Sequence, residues 1–538
     1  MSPVQRYSSI SRLSGLVFLT VVGFFLPGGG AQAGECAASL GSIASLSAGL
    51  RTEIRTDDLQ RLYSGAQGPC LWSSQNAAAL IATLSKAGEQ GLDPGIFHLG
   101  DIARLHGSPT DAALRDLLLS DDALRYARIM TRGQVDPTTV DSDIDFDIYP
   151  GDVLPGLKTA LTDGDVSTWL AGLPPQQPQY AALIGLLAHY RALAAQGGWL
   201  MIEPPETSVK PGKSSPLVAT LRQRLAAEGY LANAEGSDVL TGDVLAALKQ
   251  FQERHGLDDD GALGKKTAAA LNVSAAARAE QIALNLERWR QLSRGIPPTR
   301  IEVNTASATA ALIVDQKPVL RMRTVVGARK TPTPLVRSDI RAVVVNPPWV
   351  VPVSIVRKEI MPALRRNPDY LEAHNMEWKN GQIVQAPGPK NSLGRIKFEL
   401  HSAFDVYLHD TPARSLFNKA DRDARARSHG CVRLEKPLDL AEKLLKANVN
   451  WPRERIEAAI EEGATQRVQM ATDIPVVIAY WTAFADEDGA AEFREDIYGR
   501  DARLAAALPH GGEAAPAPGI GPVSMAPVSG AKVGACMA

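Results

Sequence analysis

The hydrophobic period of this 538-residue chain changes once, near Arg300, and that change constrains its fold more than any other feature. Before it, apolar residues recur at helical spacing. Asn76 to Gly91 (NAAALIATLSKAGEQG) is one such stretch, with Gly91 placed to stop it. Tyr180 to Ala195 (YAALIGLLAHYRALAA) is another, closed by Gly197-Gly198. Ala276 to Leu292, with Leu284, Arg288 and Trp289, predicts a third. From Arg300 the pattern alternates or runs apolar over residues 300–305, 310–315 and 319–326, as strands do. Arg341 to Asn346 predicts another strand, stopped by Pro347-Pro348. Residues 476–485 and 490–498 flank Asp486-Glu487-Asp488-Gly489, a hairpin turn. Helices first and strands afterwards predict an α+β multidomain chain.

The length allows about three or four domains. Residues 34–202 are expected to form a helical scaffold, and 203–213 (EPPETSVKPGK) a linker. Residues 214–273 predict a compact three-helix module. Ser215 can cap its first helix, with Pro216 in the first turn and Leu217, Leu221 and Leu225 on one stripe. Thr241 starts the second, with Leu245, Leu248 and Phe251 inward and Gly256 at its end. Gly261, Leu263, Gly264, Thr267 and Leu271 turn into the third. A mixed, β-rich domain follows at 298–505. The Pro-, Ala- and Gly-rich stretch 508–538 predicts a disordered tail.

Residues 1–33 read as a secretory signal: Arg6 and Arg12, an apolar run from Leu16 to Leu26, then Ala31-Gln32-Ala33 for cleavage. The run is too short to span a bilayer as a helix. The mature chain is therefore expected outside the cytoplasm, in the periplasm. A formal net charge of −2, and no basic cluster with interleaved aromatics, set nucleic acid aside as a partner. An exported chain meets oxidising conditions, so its four cysteines matter. Cys36 and Cys70 are close in sequence and could pair or remain separate thiols. Cys536 lies in the tail. Cys431 is far from all of them, in the densest cluster of Ser, His, Gly and Arg in the chain.

Two segments carry the chemistry: Phe404 to Pro412 (FDVYLHDTP) and Arg427 to Glu435 (RSHGCVRLE). On a strand, Phe404, Val406 and Leu408 face one way, and Tyr407 and His409 the other, toward a cleft. Gly430 permits close backbone approach just before Cys431. If the chain is extended there, Cys431 and Arg433 share a face. A cysteine nucleophile needs a base to draw its proton, because a free thiol is ionised only to a few per cent at neutral pH. His409 and His429 are both candidates. Backbone N–H groups around the Gly-Cys turn could hold an oxyanion. A zinc site from His409, His429, Cys431 and His401 lacks any paired metal-ligand spacing to support it.

This cluster resembles the L,D-transpeptidase family of bacterial cell-wall enzymes, whose signature is a His followed some 20 residues on by Ser-His-Gly-Cys-x-Arg. Here those are His409 and Ser428-His429-Gly430-Cys431-Val432-Arg433. Asn346-Pro347-Pro348-Trp349, Val351 to Ile355, Gly388 to Gly394 and Tyr407 to Pro412 extend the likeness to the family's long periplasmic branch, over about residues 55–505. The 214–273 pattern resembles a peptidoglycan-binding module.

The resemblance implies Cys431 as nucleophile and His409 as base, the latter oriented by a backbone carbonyl. It implies an oxyanion hole from the backbone of His429, Gly430 and Cys431. Substrate contacts would come from Tyr407, Arg433, Ser428 and Trp349, under a lid at about 347–395. It gives no role to Thr331–Ser338. It implies peptidoglycan tetrapeptide stems as the substrate, a thioester intermediate, 3→3 cross-links as the product and acylation by carbapenems, with no cofactor or metal. Rival readings are an L,D-carboxypeptidase, an enzyme attaching an outer-membrane protein to the wall, and a non-catalytic wall-binding protein.

Overall fold

The computed structural model describes residues 56–64, 70–105, 109–146, 151–292, 295–418, 425–446 and 451–509. The signal read at 1–33 and the tail beyond 509 lie outside the described residues. Among the described residues, no helix is long and apolar enough to cross a membrane.

The first domain is helical. Helix α1 (Ser74–Ser85) is capped by Ser73, whose hydroxyl accepts from the Asn76 N–H at 3.1 Å. It ends earlier than its apolar spacing predicts. A 3-10 turn, Ala87–Gln90, carries the chain to Gly91, which stops it in the left-handed region at φ 73°. Helix α2 (Pro109–Arg132) packs Leu117, Leu124 and Met130 against Leu80 and Leu84 of α1. Helix α3 (Pro178–Ala195) closes the domain. A three-helix module follows: α4 (Leu217–Ala227), α5 (Gly242–Arg254) and α6 (Lys265–Leu271). Leu221, Leu225, Leu248, Phe251 and Leu271 meet in its core.

Helix α7 (Ala275–Leu292) is buried on nearly every side, although it carries Asn285, Glu287, Arg288, Arg290 and Gln291. Such a helix must lie between other bodies, because no single neighbour could cover it all round. Its polar groups supply the joints. Glu287 and Arg290 pair at 2.9 Å, both fully buried. Glu287 also accepts from the Gln134 N–H at 2.5 Å, and Arg290 donates to the Gln90 carbonyl at 2.8 Å and to the Tyr180 hydroxyl at 3.2 Å. On another side, Asn285 grips the strand-rich half: its amide donates to the Thr482 hydroxyl at 2.8 Å and its carbonyl accepts from the Thr482 N–H at 3.0 Å.

The second half is a sheet that closes on itself. Its strands are β1 (Arg300–Asn304), β2 (Thr309–Val314), β3 (Lys317–Gly327), β4 (Leu335–Val345), β5 (Trp349–Val350), β6 (Met376–Lys379), β7 (Gln382–Gln385), β8 (Ile396–Leu400), β9 (Leu408–His409), β10 (Ala426–Ser428), β11 (Val432–Leu434) and β12 (Gln466–Ala479). The order is β4-β12-β1-β2-β3-β11-β9-β8, and β8 pairs back to β4, so no long edge is left open. The β12–β1 and β9–β11 pairs are parallel and the rest of this circuit is antiparallel. Strands β5, β7 and β6 form a separate small sheet in the 347–395 insertion. Helices α8 (Pro437–Leu445) and α9 (Arg453–Glu462) add Leu440, Leu444 and Ile456 to the main core.

Two strand expectations need correction. The strand predicted at 341–346 begins at Leu335. The strand predicted at 476–485 is interrupted: β12 ends at Ala479, and a short hairpin of β13 (Ala483–Ala485) and β14 (Ala491–Phe493) takes over. The physical cause lies between them. The Asn304 side chain holds both the N–H and the carbonyl of Trp481 at 3.0 Å, and Asn285 takes the Thr482 N–H, so side chains replace the ladder there.

Candidate active site

Parallel pairing of β9 with β11 sets Leu408 opposite Val432 and His409 opposite Arg433. The Val432 N–H donates to the Tyr407 carbonyl at 3.1 Å, which locks that register. Cys431 precedes β11 by one residue and is fully buried. Cys431 packs in the core cluster that also holds Val406, Leu408 and Val432. The apolar alternation of Val406 and Leu408 puts both in the core, as its period requires.

His409 is fully buried. Its Nδ1 lies 2.5 Å from the Asp410 carbonyl and therefore carries the proton. Its Nε2 is left as a lone pair, buried and with no hydrogen-bond partner among the described residues. Burial pushes its pKa down to about 3, helped by the Arg433 charge and, less, by Lys397, against the opposing pull of the Asp410 and Leu393 carbonyls. Lys397 is His409's register partner across β8 and β9, so cations flank the ring on both neighbouring strands. The Asp410 carboxylate is used elsewhere: it accepts from the Arg395 N–H at 2.8 Å and from Arg414 at 3.0 Å.

The turn before Cys431 is braced from below. Ser428 is 1% exposed; its hydroxyl donates to the Cys431 carbonyl at 2.6 Å and accepts from the Gly430 N–H at 3.1 Å. Ser428 thus braces the turn from below. The Gly430 N–H is committed to that hydroxyl in this structure. Gly430 sits at φ 128°, a conformation that favours glycine. The Ser428 carbonyl accepts from the Ala328 N–H at 2.8 Å and the Thr331 hydroxyl at 3.0 Å. The Gly327 N–H donates to the Thr333 hydroxyl at 2.9 Å.

A cavity of about 750 Å³ opens beside this face, lined by Pro348–Ser354, Arg357, Lys358, Gln382, Leu393, Lys397, Asp405 and Tyr407. Its roof is the 347–395 insertion, which has its own core of Trp349, Val351, Ile355, Ile360, Met376, Ile383 and Leu393. Trp349 serves both, packed in that core and lining the cavity. Tyr407 forms part of the floor, with the Lys397 ammonium 3.7 Å from its ring centre. Arg433 is largely buried beside His409, and its Nε has no partner among the described residues. The His429 ring points elsewhere than to a shared site with His409: its Nε2 meets Glu359 of the roof at 2.5 Å.

Residues 298–478 match the L,D-transpeptidase catalytic domain, 214–271 a peptidoglycan binding domain and 57–187 a scaffold domain. The chain carries an L,D-transpeptidase catalytic domain. A Haemophilus influenzae protein with the provisional name L,D-transpeptidase is 32% identical over 248 residues, covering 42% of this chain and 49% of that protein. The chain spans about half the length of this curated relative. Two solved L,D-transpeptidase structures are also similar. One, from Xylanimonas cellulosilytica, is 16% identical with a TM-score of 0.16, covering 51% of this chain and 100% of that one. The other, from Stackebrandtia nassauensis, is 13% identical with a TM-score of 0.21, covering 52% and 95%.

Within the L,D-transpeptidase domain, the 327–333 turn is the part that sequence reasoning missed. Its signal was Gly327, where an added Cβ would lie 2.1 Å from the Thr331 carbonyl oxygen. Cys70 and Cys431 are both disulfide-bonded in this structure. The trio with metal-ligand spacing among the described residues, His98, Asp121 and Asp122, belongs to the scaffold, where His98 pairs with Asp122 at 2.8 Å and Arg125 with Asp121 at 3.0 Å.

A pH dependence follows from His409. Its folded pKa, about 3, lies below the ordinary value of 6.5, so the unfolded chain binds its proton first. The fold keeps its full stability from this group above pH 6.5 and loses it as pH falls toward 3, by up to about 1.4 kcal/mol per pH unit. Urea melts of wild type and His409→Asn between pH 7.5 and 4.5 should diverge by that slope; parallel curves would contradict a neutral, buried imidazole.

Proposed function

We propose that this chain is a cysteine L,D-transpeptidase that forms 3→3 cross-links between peptidoglycan tetrapeptide stems. The observation that carries the reading is a neutral His409, oriented by a backbone carbonyl, with its Nε2 lone pair unclaimed, on the strand that pairs with β11, which Cys431 precedes by one residue. In the reduced enzyme, His409 Nε2 takes the Cys431 thiol proton as sulfur attacks the carbonyl between the third residue and the terminal D-Ala. The C–N bond breaks, and the same nitrogen returns the proton to the departing D-Ala amine. The side-chain amine of a second stem then attacks the thioester and restores the thiol. Burial, helped by the flanking Arg433 and Lys397, keeps the imidazole neutral, so its Nε2 holds no proton before the thiol gives one up. The 347–395 roof, which Glu359 ties to His429 two residues before Cys431, supports the reading as a cover that limits water near the thioester.

Export fits this substrate. A signal-like start and two oxidised cysteines both suit a compartment outside the reducing cytoplasm.

Reduced enzyme incubated with disaccharide-tetrapeptides should yield dimers and free D-Ala by mass spectrometry. Loss of D-Ala without dimers would replace the proposal with an L,D-carboxypeptidase. No reaction, with binding retained, would replace it with a wall-binding protein.

A further inference from the structure

Resting on that reading, we propose that Glu359 is a specificity-determining residue: it latches the lid to His429 and so decides whether an amine or water resolves the acyl-enzyme.

The contact is placed where a latch would act. Glu359 lies in a π-helical turn, Val356–Ile360, inside the insertion that roofs the cavity. Turns of this kind recur at functional sites because they distort an otherwise regular helix. From this turn the Glu359 carboxylate reaches the His429 Nε2 at 2.5 Å. His429 stands two residues before Cys431, on the braced turn. The pair therefore ties the roof directly to the strand segment that bears the nucleophile. Neighbouring Arg357 and Lys358 line the cavity, so displacing this turn opens the cavity wall.

The pair is suited to opening as well as closing. His429 is 31% exposed and Glu359 50% exposed at the side chain. Exposed polar pairs of this kind, charged or not, bias an equilibrium by only a few-fold, about fivefold at most. A substrate as large as a peptide stem must enter and leave, so a stronger clasp would hold product. A weak one shifts the closed fraction without trapping it. The bond-making step is untouched, since neither group faces His409 Nε2. What changes is the time for which the thioester is exposed to water before a second amine arrives. Water attack releases the acid and regenerates the thiol; amine attack gives the cross-link.

Three variants test this: wild type, Glu359→Ala and Glu359→Gln, the last keeping an acceptor oxygen. Two readouts separate latch from chemistry. Hydrogen exchange across residues 353–366 of the substrate-free enzyme should quicken about fivefold in Glu359→Ala and much less in Glu359→Gln. In the muropeptide assay, the ratio of hydrolysed stem to dimer should rise by a similar factor in Glu359→Ala, with the rate of carbapenem acylation within about twofold of wild type. Unchanged exchange in Glu359→Ala overturns the latch, whatever the reaction proves to be. Faster exchange with an unmoved product ratio overturns its role in partitioning, whereas wild type that forms no dimers counts against the transpeptidase reading instead.

Discussion

Alanine at Cys431 is expected to abolish acylation, with a loss on the order of 10⁴-fold or more, because no other group in the site can form the thioester. Alanine at His409 should cost about 10²–10⁴-fold, the usual range for a lost general base. Alanine at His429 should cost under about tenfold in acylation. The structure separates the two histidines by what each ring touches. His409 holds its Nδ1 proton on the Asp410 carbonyl and keeps Nε2 unclaimed, whereas His429 spends its Nε2 on Glu359. Intact-mass measurement of carbapenem adducts on the reduced variants gives these rates directly. A larger loss in His429→Ala than in His409→Ala would mean that the base has been misassigned. The double variant Cys431→Ala, His409→Ala should be no worse than Cys431→Ala alone, because the two act as one unit.

How much of this site could be read from sequence depends on the range of the interactions involved. The faces of Val406, Tyr407, Leu408 and His409 follow from a period of two, and the buried Val406 and Leu408 obey it. The change of period at Arg300 likewise separates helices from strands, because each domain buries its own apolar stripe. Interactions that cross the chain were not legible. Nothing local says that Asn304 will take the backbone of Trp481, so the strand predicted over 476–485 ran past its true end. Ser428 sits in a motif beside the nucleophile, which suggests substrate contact, yet its hydroxyl is consumed by Gly430 and Cys431 within its own turn. Motifs report which residues act together and not which way each one points. The buried polar groups of α7 were similarly opaque: Glu287 and Arg290 look like a solvated helix face until two other bodies are packed around them.

Replacing Gly327 by alanine is expected to do more damage to the site than its distance in sequence from Cys431 suggests. The new Cβ would stand 2.1 Å from the Thr331 carbonyl oxygen, 2.6 Å from the Thr333 nitrogen and 2.8 Å from the Pro332 carbonyl carbon. All three are backbone atoms, so no side chain can swing away, and the 328–333 turn itself has to move. That turn supports the Ser428 carbonyl through Ala328 and Thr331, and Ser428 in turn holds Gly430 and the Cys431 carbonyl. Its position is also tied from the far side, where the Tyr498 hydroxyl donates to the Gly327 carbonyl at 2.6 Å. Overpacking of this kind costs about 1–3 kcal/mol in stability. The larger effect should be on rate: a shift of about 1 Å in a reacting group can cost roughly 10²-fold. Thr331→Val removes a single hydrogen bond, worth about 1 kcal/mol, and leaves the backbone in place, so its acylation rate should fall far less. Melting curves and carbapenem acylation rates for both variants test the difference. If Gly327→Ala remained folded and acylated at the wild-type rate, the turn would not be what holds Cys431 in register with His409.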